Sequence, residues 1–212
     1  MKVLEERVAV LEFVLGGNKA VDDAVERCKH ACSGLISARF KWVASSYYEL
    51  SLAERSVLLG CTPGHLCKTL IMENFGCQNL DCADPLDSRF YLVVVQYEAR
   101  IVTSKLEKAV YLLKPEGERP PRNKISLQAA PEEVGLPLSG FPHNGVSPFG
   151  AKAAIPVVLA AAVFDLAPRY IWMGAGHPDL KLRVSVADFV AALRPVAVAD
   201  FTEPRVGVDV NS

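Results

Sequence analysis

The stretch FYLVVVQYE at residues 90–98 is apolar on both of the faces that alternate along a strand. A strand with two apolar faces needs cover on each side, which puts it in the middle of a sheet. Shorter strand-like runs surround it in sequence: RFKWVASSYYEL from residue 39, CKTLIMEN from 67, KISLQAA from 124, AIPVVLAA from 154, RYIWMGAG from 169 and LKLRVSV from 180. Helical stretches interleave with them. Ser51 and Glu54 form a capping box ahead of a helix that Gly60 stops, and Ser104 with Glu107 suggests a second box. PEEVG at 131–135 reads as a helical turn, and Ser185 caps a last helix over 186–193. There is no regular βαβ period and no GxGxxG after the first strand. The expected fold is a mixed α+β domain whose curved, barrel-like sheet is flanked by helices.

The first residues stand apart. Val3, Leu4, Val8, Leu11 and Leu15 recur at helical spacing before Gly16-Gly17, and a second helical stretch covers residues 20–32. Together they suggest an N-terminal helical hairpin over residues 1–35. It is either an accessory that packs on the body or on a partner, or a segment dedicated to assembly. With 212 residues, half of them hydrophobic, the chain has material for a real core.

Charge and cysteine content exclude several classes. The formal net charge is -1, so a polyanionic partner must meet a local basic patch rather than a global field. The one concentration of basic residues is Lys105, Lys108, Lys114, Arg119, Arg122 and Lys124, which is either a phosphate-binding face or an ordinary solvated one. The start of the chain lacks the unbroken apolar run of a signal peptide, and residues 153–164 are too short to span a membrane. A soluble cytoplasmic protein is expected, with no membrane partner. The six cysteines at 28, 32, 61, 67, 77 and 82 lack zinc-ligand spacing, so free thiols and no metal or cofactor are expected. A thiol-redox or metal protein is the weakest reading.

Candidate chemistry concentrates in turns. HNGVSPFGAK at 143–152 and GAGHPD at 174–179 both present backbone N–H groups with little side-chain bulk. Such turns can hold a carbonyl oxygen or a phosphate, or can simply connect strands, and composition does not decide between the two. His143 and His177 lie in these turns, where polar groups converge on clefts or are merely solvated. Lys68 opens the strand KTLIMEN; its ammonium either overhangs a pocket or snorkels to solvent. No spacing supports a Ser–His–Asp triad built on Ser147 and His143.

LCKTLIME, HNGVSPFGAKAAIPVVL and YIWMGAGHPDLKLRVSVADFVAAL together resemble, in order and spacing, the YbaK-like family. That family includes the editing domain inserted in bacterial prolyl-tRNA synthetases and its free-standing relatives. The likeness runs over residues 38–195 and is closest to the eukaryotic-type branch with an N-terminal helical extension, which makes residues 36–212 a YbaK-like domain. The resemblance implies an aminoacyl-tRNA deacylase that acts in trans on tRNA for proline carrying alanine or cysteine. It implies that Lys68 serves near the tRNA 3′ end with Thr69 hydrogen-bonding beside it. It further implies that Gly145, Val146, Ser147 and Pro148 hold the aminoacyl carbonyl, and that Gly174 and Gly176, followed by His177, shape the amino-acid pocket. Asn144 stands where many relatives have a glycine; His143 and Asn144 flank the approach. Lys181 stands where the bacterial deacylase has an acidic residue. A non-catalytic module that binds tRNA, or a synthetase through the N-terminal hairpin, is the alternative.

Overall fold

The computed structural model describes residues 19–205, with side chains from residue 23 onward. The helix expected over residues 2–15 lies outside them. The described chain begins with α1 (Lys19–Ala31), followed by β1 (Arg39–Trp42) and a 3-10 turn (Ser45–Glu49). Next come α2 (Leu52–Leu59), a 3-10 turn (Pro63–His65), β2 (Cys67–Asn74), β3 (Phe90–Gln96), β4 (Ala99–Ile101) and α3 (Thr103–Tyr111). After a long loop come β5 (Leu127–Ala129), α4 (Glu132–Ser139), β6 (Val157–Ala160), β7 (Tyr170–Gly174), β8 (Leu180–Ser185) and α5 (Val186–Leu193). Two short strands close the described chain, β9 (Ala197–Ala199) and β10 (Thr202–Pro204).

The main sheet has the order β5-β2-β3-β6-β9, antiparallel across β5, β2 and β3 and parallel across β3, β6 and β9. β3 is its middle strand, and every residue of Phe90–Gln96 is buried. One face of β3, with Leu92 and Val94, packs on the antiparallel sheet β1-β8-β7 through Ile171, Met173, Leu180, Leu182 and Val184. The other face, with Tyr91, Val93 and Val95, packs on Leu106 and Val110 of α3 and on Phe201. The two apolar faces thus have two different covers, as the sequence requires. The sheets stay open: β5 and β9 are the edges of the main sheet, and among the described residues one isolated bridge, Leu66–Trp172, links backbone of the two packed sheets.

Three local expectations need revision. The run RFKWVASSYYEL is a strand only to Trp42; residues 45–49 form a 3-10 turn that drops the Tyr47 ring onto Leu59, Leu66 and Trp172. Ser104 and Glu107 make no capping box. α3 starts at Thr103 without a side-chain cap, and Glu107 instead accepts the Leu127 N–H, tying α3 to β5. PEEVG extends into a full helix of eight residues. The box at Ser51 and Glu54 is present, as is the Ser185 cap.

α1 is built into the body. Ala24, Val25, Cys28 and Cys32 are buried, and all but Ala24 belong to the core cluster that includes Ile171, Leu182 and Phe189. Arg27 donates to the carbonyls of Gly140 at 2.8 Å and Gly150 at 3.2 Å, bracing both ends of the intervening loop.

Candidate active site

β5 pairs only with the end of β2, from Ile71 onward, and leaves Lys68 to Leu70 as an open strand edge. A cleft of about 330 Å³ lies along this edge. Lys68 and Thr69 form one wall, the start of α4 with Glu132 and Leu136 another, and the loop residues His143, Asn144 and Val146 a third; Tyr48, Tyr97 and Gly174 close the end. Three segments far apart in sequence therefore converge here.

Lys68 is half-buried, with Nζ 5.5 Å from the centre of the Tyr97 ring. Among the described residues no carboxylate lies within ion-pair distance of it. Burial, helped by the like charge of Arg205, lowers its pKa to about 8. A cation held beside a cleft without an acidic partner is suited to receive an anion. Thr69 Oγ1 is buried and has no hydrogen-bond partner among the described residues.

The loop from 143 to 148 is shaped by its own backbone. Asn144 has φ 62°, in the left-handed region that Asn tolerates better than most residues. The Gly145 N–H donates to Pro142 O at 2.9 Å, and the Gly176 N–H donates to Gly145 O at 2.9 Å. Those two amides are thus engaged within the protein. The Val146 and Ser147 N–H groups, next to each other in the chain, have no acceptor among the described residues, and Val146 lines the cleft.

The sequence-derived residues fall into two groups. Lys68, Thr69, His143, Asn144, Val146 and Gly174 line the cleft. Gly145, Ser147, Pro148, Gly176 and His177 lie behind its wall, buried. The Ser147 hydroxyl accepts from the Phe149 N–H and the Cys28 thiol, and so faces the core rather than the cleft. His177 accepts the Asp179 N–H on Nδ1 and meets the Trp42 ring edge-on; burial lowers its pKa, with Asp179 opposing.

Sequence reasoning missed Tyr48, Tyr97 and the burial of Lys181. The Lys181 ammonium is 3% exposed, donates to Pro178 O at 2.6 Å and to the Tyr48 hydroxyl at 2.8 Å, and sits over the Tyr47 and Tyr48 rings. The tyrosine pair before the capped helix was the available signal. In the basic patch Lys114 bonds Asp87 and Lys105 lies near Asp200 and Glu203, while Arg119 and Arg122 stack on Tyr111 and keep their charge. All six cysteines are thiols, and among the described residues no three potential metal ligands converge. No helix among the described residues is long and apolar enough to cross a membrane.

The chain matches the family model of the aminoacyl-tRNA editing domain over residues 50–192. It belongs to the aminoacyl-tRNA editing domain family. That span takes in β2 with Lys68, both turns and the strands that carry them. No curated protein sequence matches. Among solved structures, one described as a candidate trans-editing enzyme for prolyl-tRNA synthetase aligns with TM-score 0.66 at 19% identity, covering 85% of this chain and 97% of its own. A scaffold from computational epitope grafting aligns with TM-score 0.65 at 19% identity and the same coverages. A hypothetical protein aligns with TM-score 0.61 at 20% identity, covering 85% and 99%. At such identities the likeness establishes the shared fold. Aminoacyl-tRNA editing is the general activity to which the family assignment points.

Proposed function

We propose that this protein is a deacylase that hydrolyses the ester of mischarged aminoacyl-tRNA in trans, with tRNA for proline carrying alanine or cysteine as its substrate. The observation that carries the reading is the pairing, across one cleft, of a cation without an acidic partner with the unengaged amide of Val146. Lys68 receives a phosphate of the tRNA acceptor end, and that contact restores its tendency to stay protonated. The carbonyl oxygen of the aminoacyl ester lies against the Val146 amide. Water adds to the carbonyl carbon, and the amide stabilises the oxyanion that forms. The carbon–oxygen bond to the ribose then breaks, and the ribose oxygen takes a proton, releasing the amino acid and intact tRNA. No side-chain nucleophile is needed, because the ester is activated and the work is positioning plus oxyanion stabilisation.

The cleft volume suits the aminoacyl end with a small side chain rather than a whole nucleotide and a large one. Association with a synthetase through the N-terminal segment has less support, since the described helix α1 buries its apolar face in this domain. The test is to incubate the protein with Ala-, Cys- and Ser-charged tRNA and follow ester loss. Hydrolysis of the Ala or Cys ester that disappears in Lys68→Ala supports the reading. No hydrolysis above buffer, or undiminished activity in Lys68→Ala, overturns it.

A further inference from the structure

The Tyr48 hydroxyl sits between two partners. It receives a hydrogen bond from Lys181 Nζ at 2.8 Å and gives one to the Asn144 carbonyl at 2.9 Å. The direction of both bonds follows from chemistry. An ammonium has donors and no acceptor, so the phenol oxygen must accept from it. The phenol proton is then available for Asn144, with the Tyr97 hydroxyl as the neighbour that also interacts with Tyr48. Arg55 fixes the tyrosine segment from behind, donating to the carbonyls of Tyr47 and Tyr48 and lying over both rings.

The Asn144 carbonyl is one end of a pinned peptide unit. Tyr48 holds its C=O, and Pro142 O holds its N–H, which is that of Gly145. The next unit is held by Gly176 at the Gly145 carbonyl. In a trans peptide the N–H points opposite to the C=O, so these contacts set the direction of the Val146 N–H. Asn144 itself sits at φ 62°, in the left-handed region, which the two held peptide units keep in place.

We propose that Lys181, in its ammonium form, is a positioning residue that acts through Tyr48 to hold the Asn144–Gly145 peptide and thereby aim the amide of Val146 into the cleft. An acidic residue at position 181 would draw the phenol proton to itself and leave the Asn144 carbonyl without its donor. When Lys181 loses its proton, the amine gains a lone pair that competes with the Asn144 carbonyl for the phenol proton.

The groups around Lys181 fix where that happens. Tyr47, Tyr48 and Arg55 cover it from one side, Asp179 and His177 flank it in the turn before β8, and Tyr97 lies beyond Tyr48. Burial and the Arg55 charge lower its pKa, Asp179 opposes them, and the result is about 7. The ammonium is then lost as pH rises through about 7. The tyrosine stays protonated throughout, since burial raises its own pKa.

The latch itself is independent of substrate; its effect on turnover rests on the deacylase reading. The experiment has two arms on the full chain, with Tyr48→Phe, Lys181→Met, Lys181→Arg and the double variant. In the first, exchange of the Gly145 and Gly176 amides is followed by NMR at pH 6 and pH 8. At pH 6, Tyr48→Phe and Lys181→Met are expected to speed exchange several-fold and equally, the double variant no further. Wild type should lose protection at pH 8, after correction for intrinsic rates, while Lys181→Arg, which retains its charge, does not. Equal protection in all variants overturns the proposal, and so does loss at pH 8 in Lys181→Arg as well. In the second arm, Tyr48→Phe is expected to lower kcat about tenfold with KM for tRNA unchanged. A KM change alone overturns the positioning role. If wild type hydrolyses no ester, the deacylase reading fails and the exchange arm still decides the latch.

Discussion

The Gly176 amide donates to the Gly145 carbonyl at 2.9 Å, joining two turns that lie some thirty residues apart in sequence. The contact works because the backbones touch. A Cβ on Gly174 would stand 2.8 Å from Val146 O, closer than side chains tolerate. Gly174→Ala is therefore expected to push the Val146 peptide outward and misaim its amide. The expected outcome is a stability loss of about 1–3 kcal/mol and a fall in deacylation of about tenfold or more at a temperature where the variant is folded. Denaturant unfolding and the Ala-tRNA assay measure both; a stability loss with full activity contradicts the cradle.

Lys68 yields a pH prediction. Its pKa in the free protein is lowered to about 8 from the ordinary 10.5, so the ammonium is lost as pH rises through about 8. If the cation receives a phosphate, kcat/KM, which reports the free enzyme, falls above that pH once the spontaneous hydrolysis rate is subtracted. Lys68→Arg, charged throughout, is expected to be slower and to lose the fall near pH 8, keeping only the decline that Lys181 sets near pH 7. A wild-type profile that stays level to pH 10 would remove Lys68 from phosphate binding.

Ser147 belongs to the motif but not to the cleft. Its hydroxyl accepts from the Phe149 N–H at 3.2 Å and from the Cys28 thiol at 3.6 Å, fully buried. Its role is then to support the loop from behind the cleft. Ser147→Ala should cost about 1–2 kcal/mol in stability, from the orphaned Phe149 amide, and leave kcat within a few-fold. Thermal unfolding and single-turnover hydrolysis separate the two effects. A hundredfold loss of kcat in the folded variant would mean the hydroxyl turns into the cleft during catalysis.

What the sequence made legible, and what it hid, follows from how local each signal is. FYLVVVQYE announced a central strand because double-sided apolarity is a property of the segment itself. The Ser51 box was legible for the same reason, whereas Glu107 was not, because its actual partner, the Leu127 amide, is supplied by a distant strand. Alternation in LKLRVS assigns Lys181 to the outer face of β8, and it is on that face. What alternation lacks is any sign that residues 45–48 fold over it, since they too read as strand. Lys68 and the two turns were singled out individually, but their convergence depends on β5 being short enough to leave the β2 edge open. That length is set by tertiary packing and is not written in KISLQAA.

The helix α1 sets the last prediction. It buries Ala24, Val25, Cys28 and Cys32 in the core, and Arg27 clamps the carbonyls of Gly140 and Gly150 at the two ends of the substrate loop. A Cβ on Gly176 would meet Ala24 O at 2.8 Å, so the second turn also rests on this helix. Removing residues 1–34 takes away that whole support, an apolar loss of several kcal/mol by side-chain burial alone. The truncated chain is expected to lose both its cooperative unfolding transition and its deacylase activity. Arg27→Ala isolates the clamp from the packing: its two carbonyl contacts go while the core side chains stay. That variant should unfold cooperatively with a loss of about 1–3 kcal/mol and hydrolyse ester about tenfold more slowly, because the loop ends are no longer tied. Circular dichroism with the charged-tRNA assay on the two proteins decides the matter. A 1–34 deletion that folds and hydrolyses at the full rate would show that the cleft stands without α1.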